Sequence, residues 1–335
     1  MRRTLLLAVV VAAALLGELG ALAVSAQGTG KRHVSLMLDW TPNPDHVGFY
    51  YAQAHGLYSD AGLDVSIHAP SDPASPLKLV AAGKVDLAVS YEQELFFAAA
   101  KKLPLVAVAA VVPHPLNSIM SIEHDIRTAR DLKGKTIGIT GVPSDYAALD
   151  TALRSAHLTR KDVKVVTVGY NLLPALLAKR VDAVLGVYRN VEGIELQQRG
   201  LHPTIIPLDR AGVPSYDELV LAASSSRLRT DPGYASMVRS FVHAFLLGTA
   251  DARRDPHGSL ELLRSVTASS DRFLARATPA TLALLSGPHG VGCMSTRDWR
   301  RFGVWMHAGK LLSSSIPAAK VMTTRYLPAR CTRSG

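Results

Sequence analysis

The chain has 335 residues, 48% of them hydrophobic and 19% charged, a balance that packs cores and excludes a disordered polymer. Its formal net charge is +10, yet Lys and Arg are scattered along the chain instead of gathered in a stripe or tail, which argues against a nucleic-acid partner and for a basic solvated surface. The length admits two or three domains.

The start of the chain reads as an export signal. Met1-Arg2-Arg3 is positive, residues 4–16 are almost wholly apolar, and the small residues Val24-Ser25-Ala26 fit cleavage after Ala26. Residues 1–26 are therefore expected to be a secretory signal peptide, and the protein to be periplasmic or otherwise extracytoplasmic. Glu18 makes the apolar run short for a membrane span, with an uncleaved anchor as the alternative. No cysteine lies near the cleavage site, so lipid attachment there is not expected.

From residue 34 short apolar strands alternate with amphipathic helices. Strands are expected at 34–38, 64–68, 86–89 and 105–112, and helices at 47–55, 76–82 and 92–101. A second block follows Pro113-His114-Pro115. It has extended segments at 118–122, 135–140, 163–168, 183–187 and 204–207, and helices at 145–156, 172–179 and 191–199. An apolar strand returns at 219–223. Residues beyond 230 carry only helical patterns, at 234–251, 256–265, 271–285 and 296–312. Alternating strands and helices imply parallel βαβ units. The expected fold is α/β: a two-lobed periplasmic-binding-protein type II architecture, hinged by two crossovers, with a helical C-terminal tail. Lobe 1 comprises 27–117 plus 222–335, and lobe 2 comprises 118–221. In such a protein the ligand sits between the lobes.

Leu38-Asp39-Trp40-Thr41-Pro42-Asn43-Pro44-Asp45-His46-Val47-Gly48-Phe49-Tyr50 directly follows the first strand, and ligands of open α/β sheets bind at the carboxyl ends of strands. Trp40 offers a face for stacking on a planar ring, and Asp39 a carboxylate for an amine or ring N–H. Pro42 and Pro44 stiffen the loop, and Asp45 is placed to cap the next helix. Asn43 and His46 are candidates to reach the ligand or to brace the loop.

This string resembles the opening motif of the thiamine-pyrimidine family. That family includes periplasmic proteins that bind formylaminopyrimidine or hydroxymethylpyrimidine, and fungal enzymes that make the pyrimidine phosphate. The similarity continues through Ala54-His55-Gly56-Leu57-Tyr58, Ala61-Gly62-Leu63-Asp64-Val65, and Gly83-Lys84-Val85-Asp86. It also takes in Asp131-Leu132-Lys133-Gly134-Lys135 and Val181-Asp182-Ala183-Val184. The chain departs from the family at Pro44-Asp45, where two small polar residues usually stand. By resemblance, Glu192 matches an acidic position that pairs with the aminopyrimidine edge. The alternative for Glu192 is a first-turn residue stabilised by the helix dipole.

Further candidates follow other strands. Ser90 offers a polar contact or a helix N-cap, and Tyr91 a wall of the pocket. Thr140 opens the loop Gly141-Val142-Pro143-Ser144-Asp145, whose N–H groups are candidates to hold a carbonyl or anion. Tyr188 follows the strand at 183–187. Trp299 and Trp305 read as core or interface residues.

Cys293 and Cys331 permit one disulfide in an exported protein, or two free thiols. Without a histidine partner at ligand spacing they make no metal site, and no cofactor is expected. No catalytic set is evident. The fungal enzymes carry a cysteine-rich cluster and a lysine for pyridoxal phosphate, whereas this chain has no cysteine before residue 293. The expected function is that of a monomeric, non-catalytic substrate-binding protein that delivers a thiamine pyrimidine precursor to an ABC transporter permease in the membrane. The alternatives are a binding protein of the same fold for riboflavin, a sulfonate or another small solute, and an enzyme resembling the pyrimidine phosphate synthases.

Overall fold

In the computed structural model, which describes residues 30–332, ten strands form two five-stranded mixed sheets. The expected signal segment, 1–26, lies outside the described residues. The first sheet runs β2 (Leu63–His68), β1 (Arg32–Met37), β3 (Leu87–Ser90), β10 (Leu219–Ser224), β4 (Leu105–Val112). The second runs β7 (Lys164–Thr167), β6 (Thr136–Ile139), β8 (Ala183–Tyr188), β5 (Asn117–Ser121), β9 (Thr204–Pro207). Both have the same plan. Three parallel strands (β2-β1-β3 and β7-β6-β8) are extended by two further strands, of which β10 and β5 run antiparallel to both their neighbours.

The chain crosses between sheets twice, from β4 to β5 and from β9 to β10. Glu218 sits at this double crossing with 0% exposure. Its Oε2 accepts from the N–H groups of Leu116 (2.6 Å) and Asn117 (2.7 Å) and from the Tyr216 hydroxyl (2.9 Å). One carboxyl thus ties the outgoing chain to the returning one.

Near-continuous apolar runs explain the central strands: all eight residues of β4 and all six of β10 are buried, as expected for strands covered on both faces. The tail after β10 is helical, with helices Pro232–Arg254, Pro256–Val266, Asp271–Leu282 and Thr296–Ala308. The first packs on the helix Val47–Ala54 at backbone distance, since a Cβ on Gly48 would meet Thr249 Oγ1 at 2.0 Å. The last segment covers the outer edge of β4, where Ala107 N–H donates to Val321 O and Ala110 N–H to Gly292 O. Cys293 and Cys331 form a disulfide beside that edge, with Cα atoms 5.0 Å apart.

Several element boundaries differ from expectation. The helix expected at 145–156 starts at Pro143, whose fixed φ suits a first helical position. One-turn helices at Leu57–Asp60 and Ser225–Thr230 carry too few residues for a periodic signal. Asp45 does not cap the helix at Val47. Asn43 caps a short 3₁₀ turn, Pro44–His46, its side chain accepting from Asp45 N–H at 2.8 Å, which frees the Asp45 carboxyl for another partner. Among the described residues no helix is long and apolar enough to cross a membrane.

Candidate functional site

Asp39 and Trp40 lie at the carboxyl end of β1, and β8 brings Tyr188, Asn190 and Glu192 to face them from the second sheet. Asp39 is buried, 3% exposed, and fully engaged. Its Oδ1 meets His46 Nε2 at 2.9 Å, and its Oδ2 accepts from the Tyr91 hydroxyl at 3.1 Å. The Asn43 backbone N–H points at His46 Nδ1 (3.3 Å), so that nitrogen is the acceptor and Nε2–H donates to Asp39. His46 therefore braces the loop. Asn43 does the same, its amide donating to Thr41 O at 3.2 Å.

Trp40 is half-buried and meets Tyr170 edge-on across the gap between the sheets, with ring centroids 4.3 Å apart. Tyr170 follows β7, and its hydroxyl donates to Pro70 O of the first lobe at 3.4 Å. Desolvation raises the Tyr188 and Tyr91 hydroxyls well above their ordinary pKa values, with Asp39 adding to both. Ser90 is the buried last residue of β3. It is not the helix cap, since the extended Tyr91 occupies that position without a side-chain cap bond.

Further contacts cross between the lobes. The Asn190 amide donates to Asp45 Oδ1 (2.8 Å) and Thr281 Oγ1 (2.9 Å), all three side chains being buried. Ser144 N–H donates to Glu94 Oε1 at 2.8 Å. The Asp45 carboxyl, which sequence reasoning placed at a helix start, is thus an interlobe contact, and burial pushes its pKa up to about 6.

The loop after Thr140 differs from the anion-binding expectation. Thr140 Oγ1 donates to Asp145 Oδ2 (2.6 Å) and accepts from Val142 N–H (3.3 Å), while Gly141 N–H donates to the same carboxyl oxygen at 2.9 Å. The backbone donors that suggested a cradle are spent inside the loop and on Glu94. Glu192 accepts from Tyr188 N–H at 2.7 Å, and burial raises its pKa to about 7.

A cavity of about 530 Å³ opens between the Trp40–Asn43 loop, the helix bearing Glu192, and the segment Ala268–Phe273. A second, of about 230 Å³, lies beside Ser90, Tyr91 and Gly141. Asp39, Trp40, Tyr91, Tyr188 and Glu192 converge on the region between the sheets, whereas the side chains of Asn43, His46 and Thr140 serve their own loops. Tyr170, Asp45, Asn190 and Glu218 are additions. Tyr170 was legible as an aromatic a few residues beyond a strand. The other three required knowing which loops face each other. Among the described residues no group of side chains forms a metal site.

The family model described as NMT1/THI5 like matches residues 43–259. The formylaminopyrimidine-binding protein of Halalkalibacterium halodurans is 32% identical over 293 residues, covering 85% of this chain and 88% of that protein. A protein of Haemophilus influenzae named for thiamine biosynthesis is 43% identical over 200 residues, but the aligned stretch spans only 63% of its length and 58% of this chain. The pyrimidine phosphate synthase of Legionella pneumophila is 23% identical, covering 90% of this chain and 95% of that one. Among solved structures, the alkanesulfonate-binding protein SsuA from Xanthomonas axonopodis pv. citri superposes with a TM-score of 0.68 at 18% identity, over 87% of this chain and 98% of that one. The two-lobed periplasmic-binding-protein fold is thereby shown.

Proposed function

The chain belongs to the NMT1/THI5-like family, and from that premise we propose that it is an extracytoplasmic, non-catalytic substrate-binding protein for a thiamine pyrimidine precursor, formylaminopyrimidine or hydroxymethylpyrimidine. One observation supports the reading: Trp40 and Glu192 line the same cavity, of about 530 Å³, and Tyr170 lies edge-on against the Trp40 ring. A planar ring in that cavity gains stacking on Trp40. An exocyclic amine gains the Glu192 carboxyl as an acceptor. Closure of the lobes buries both. The partner in this reading is an ABC permease, reached by the export that the first residues suggest. The non-catalytic assignment is supported by the cysteines. Both stand after residue 292, and both are consumed in a disulfide.

The test is a thermal-shift screen of the purified protein against thiamine pyrimidines, thiamine, riboflavin and alkyl sulfonates. A ligand at 100 times its dissociation constant stabilises by about 2.7 kcal/mol. A shift with another class and none with any pyrimidine refutes the assignment. Trp40→Ala is expected to weaken pyrimidine binding at least tenfold, about 1.4 kcal/mol. An unchanged titration isotherm removes Trp40 from the site.

A further inference from the structure

A third cavity, of about 140 Å³, lies where both crossings between the sheets meet the C-terminal tail. It shares no lining residue with the cavity at Trp40 and Glu192. His114 comes from the first crossing, Asp217 from the second, and His289, Asp298 and Trp299 from the tail. Glu92, the first residue of the helix Glu92–Ala100, also lines it.

The acids of this cavity are short of partners. Glu92 is 1% exposed, and its Oε2 accepts from Asp217 N–H at 2.8 Å. Its Oε1 is buried with no hydrogen-bond partner. An orphaned buried carboxyl oxygen is costly, and it makes the lining receptive to a donor. Asp217 accepts from Trp299 Nε1–H at 2.7 Å. Among the described residues no Lys or Arg lines the cavity. Asp298 has an arginine at 3.2 Å, Arg301, itself exposed. His114 Nε2 meets Ser286 O at 3.1 Å and His289 is exposed, so neither imidazole is bonded to these carboxyls. Burial, then the neighbouring Asp217 and Asp298, raises the Glu92 carboxyl well above its ordinary range, with Arg301 opposing. Burial and Asp298 raise Asp217 to about 7, against the bond from Trp299.

We propose that this cavity is a second ligand site, for a small planar nitrogen cation of the guanidinium class. Such a group carries several N–H donors in one plane, which answers the open Glu92 oxygen and the Asp217 carboxyl. Its flat face suits the Trp299 ring on the same wall. An occupant here touches both crossings and the tail at once, so it restrains the backbone that joins the two sheets.

Calorimetric titration of the purified protein with three probes, at about pH 8 so that Asp217 is ionised, tests this. Methylguanidinium carries both the charge and the donors. Methylurea has nearly the same shape without the charge, and tetramethylammonium has the charge without the donors. Methylguanidinium is expected to bind at one site, at least about tenfold more tightly than either control. Its binding should slow hydrogen exchange of the backbone amides within 114–117 and 215–218. Glu92→Gln keeps an acceptor for Asp217 N–H and removes the charge, so it should weaken binding at least about tenfold. Asp217→Asn serves in its place if that variant does not fold. Methylurea binding as tightly as methylguanidinium overturns the proposal, because charge then plays no part. Tetramethylammonium binding as tightly overturns it too, because the attraction is then diffuse. An isotherm that stays flat up to about 10 mM methylguanidinium leaves the cavity to solvent. Unchanged affinity in the charge-removed variant, or protection confined to other segments, places the binding elsewhere and equally defeats the proposal.

Discussion

Asp45 shows how one residue acquires a role from its partners. It stands where the family usually has a small polar residue, and burial against Asn190 makes it an interlobe contact with a pKa near 6. Glu192 and Glu218 are raised to about 7 by the same cause. Each acid holds its proton more tightly folded than unfolded. The native state therefore carries more protons between about pH 4 and pH 7, and stability falls as pH rises through that window. For Asp45 alone the rise from 3.8 to about 6 corresponds to roughly 3 kcal/mol. Urea unfolding should show a more stable protein near pH 5 than near pH 8, and Glu218→Gln should shrink the difference. Equal stability at both values contradicts the buried-acid account. Asn190 makes two bonds that join the second lobe to the first. Asn190→Ala is expected to speed ligand release about tenfold with little change in the association rate, because the lost contacts hold the two lobes together. Stopped-flow fluorescence of Trp40 reads both rates.

At the scale of elements, the central strands were legible because their side chains face apolar surroundings on both sides. The runs of β4 and β10 are unbroken, and the switch to helical periodicity after residue 230 is equally plain. One-turn helices were not legible, nor was the 3₁₀ turn at Pro44–His46, whose start depends on an Asn43 side-chain bond. Loop chemistry was the least legible. Thr140 and Gly141 look like an anion cradle until Asp145 is seen to occupy it. Gly48 within the pyrimidine-family string is explained by packing: the helix that follows the Asp39 loop lies against Thr249 with no room for a Cβ. Gly48→Leu is expected to cost about 1–3 kcal/mol by overpacking and to displace the loop that carries Trp40. Denaturant melts and ligand titration of that variant would both register the change, and an unaffected protein would place the helices farther apart than described here.

For the whole molecule, the two sheets share one strand plan, so the cleft is built from the carboxyl ends of equivalent strands in each. The tail closes the arrangement by covering the edge of β4, a strand that would otherwise offer free backbone groups to another chain. The disulfide holds that cover by closing a loop of sequence separation 38. Cys293→Ser is expected to lose roughly 4 kcal/mol of stability on the chain-entropy estimate and to aggregate more readily as the edge opens. Unfolding in urea with and without reductant, with light scattering, distinguishes this from a bond that contributes nothing.

By itself the sequence determined the layered α/β fold, the crossing of the chain between two blocks, and the placement of Asp39, Trp40, Tyr91, Tyr188 and Glu192 at strand ends or within a few residues beyond them. These follow from local periodicity and from the rule that strand ends carry sites, both of which are short-range properties. Only the tertiary structure decided that Trp40 meets Tyr170, that Asp45 meets Asn190, and that Glu218 joins both crossings. Those pairs are separated by about 100 residues or more, and the burial they share exists only once the two lobes are brought together.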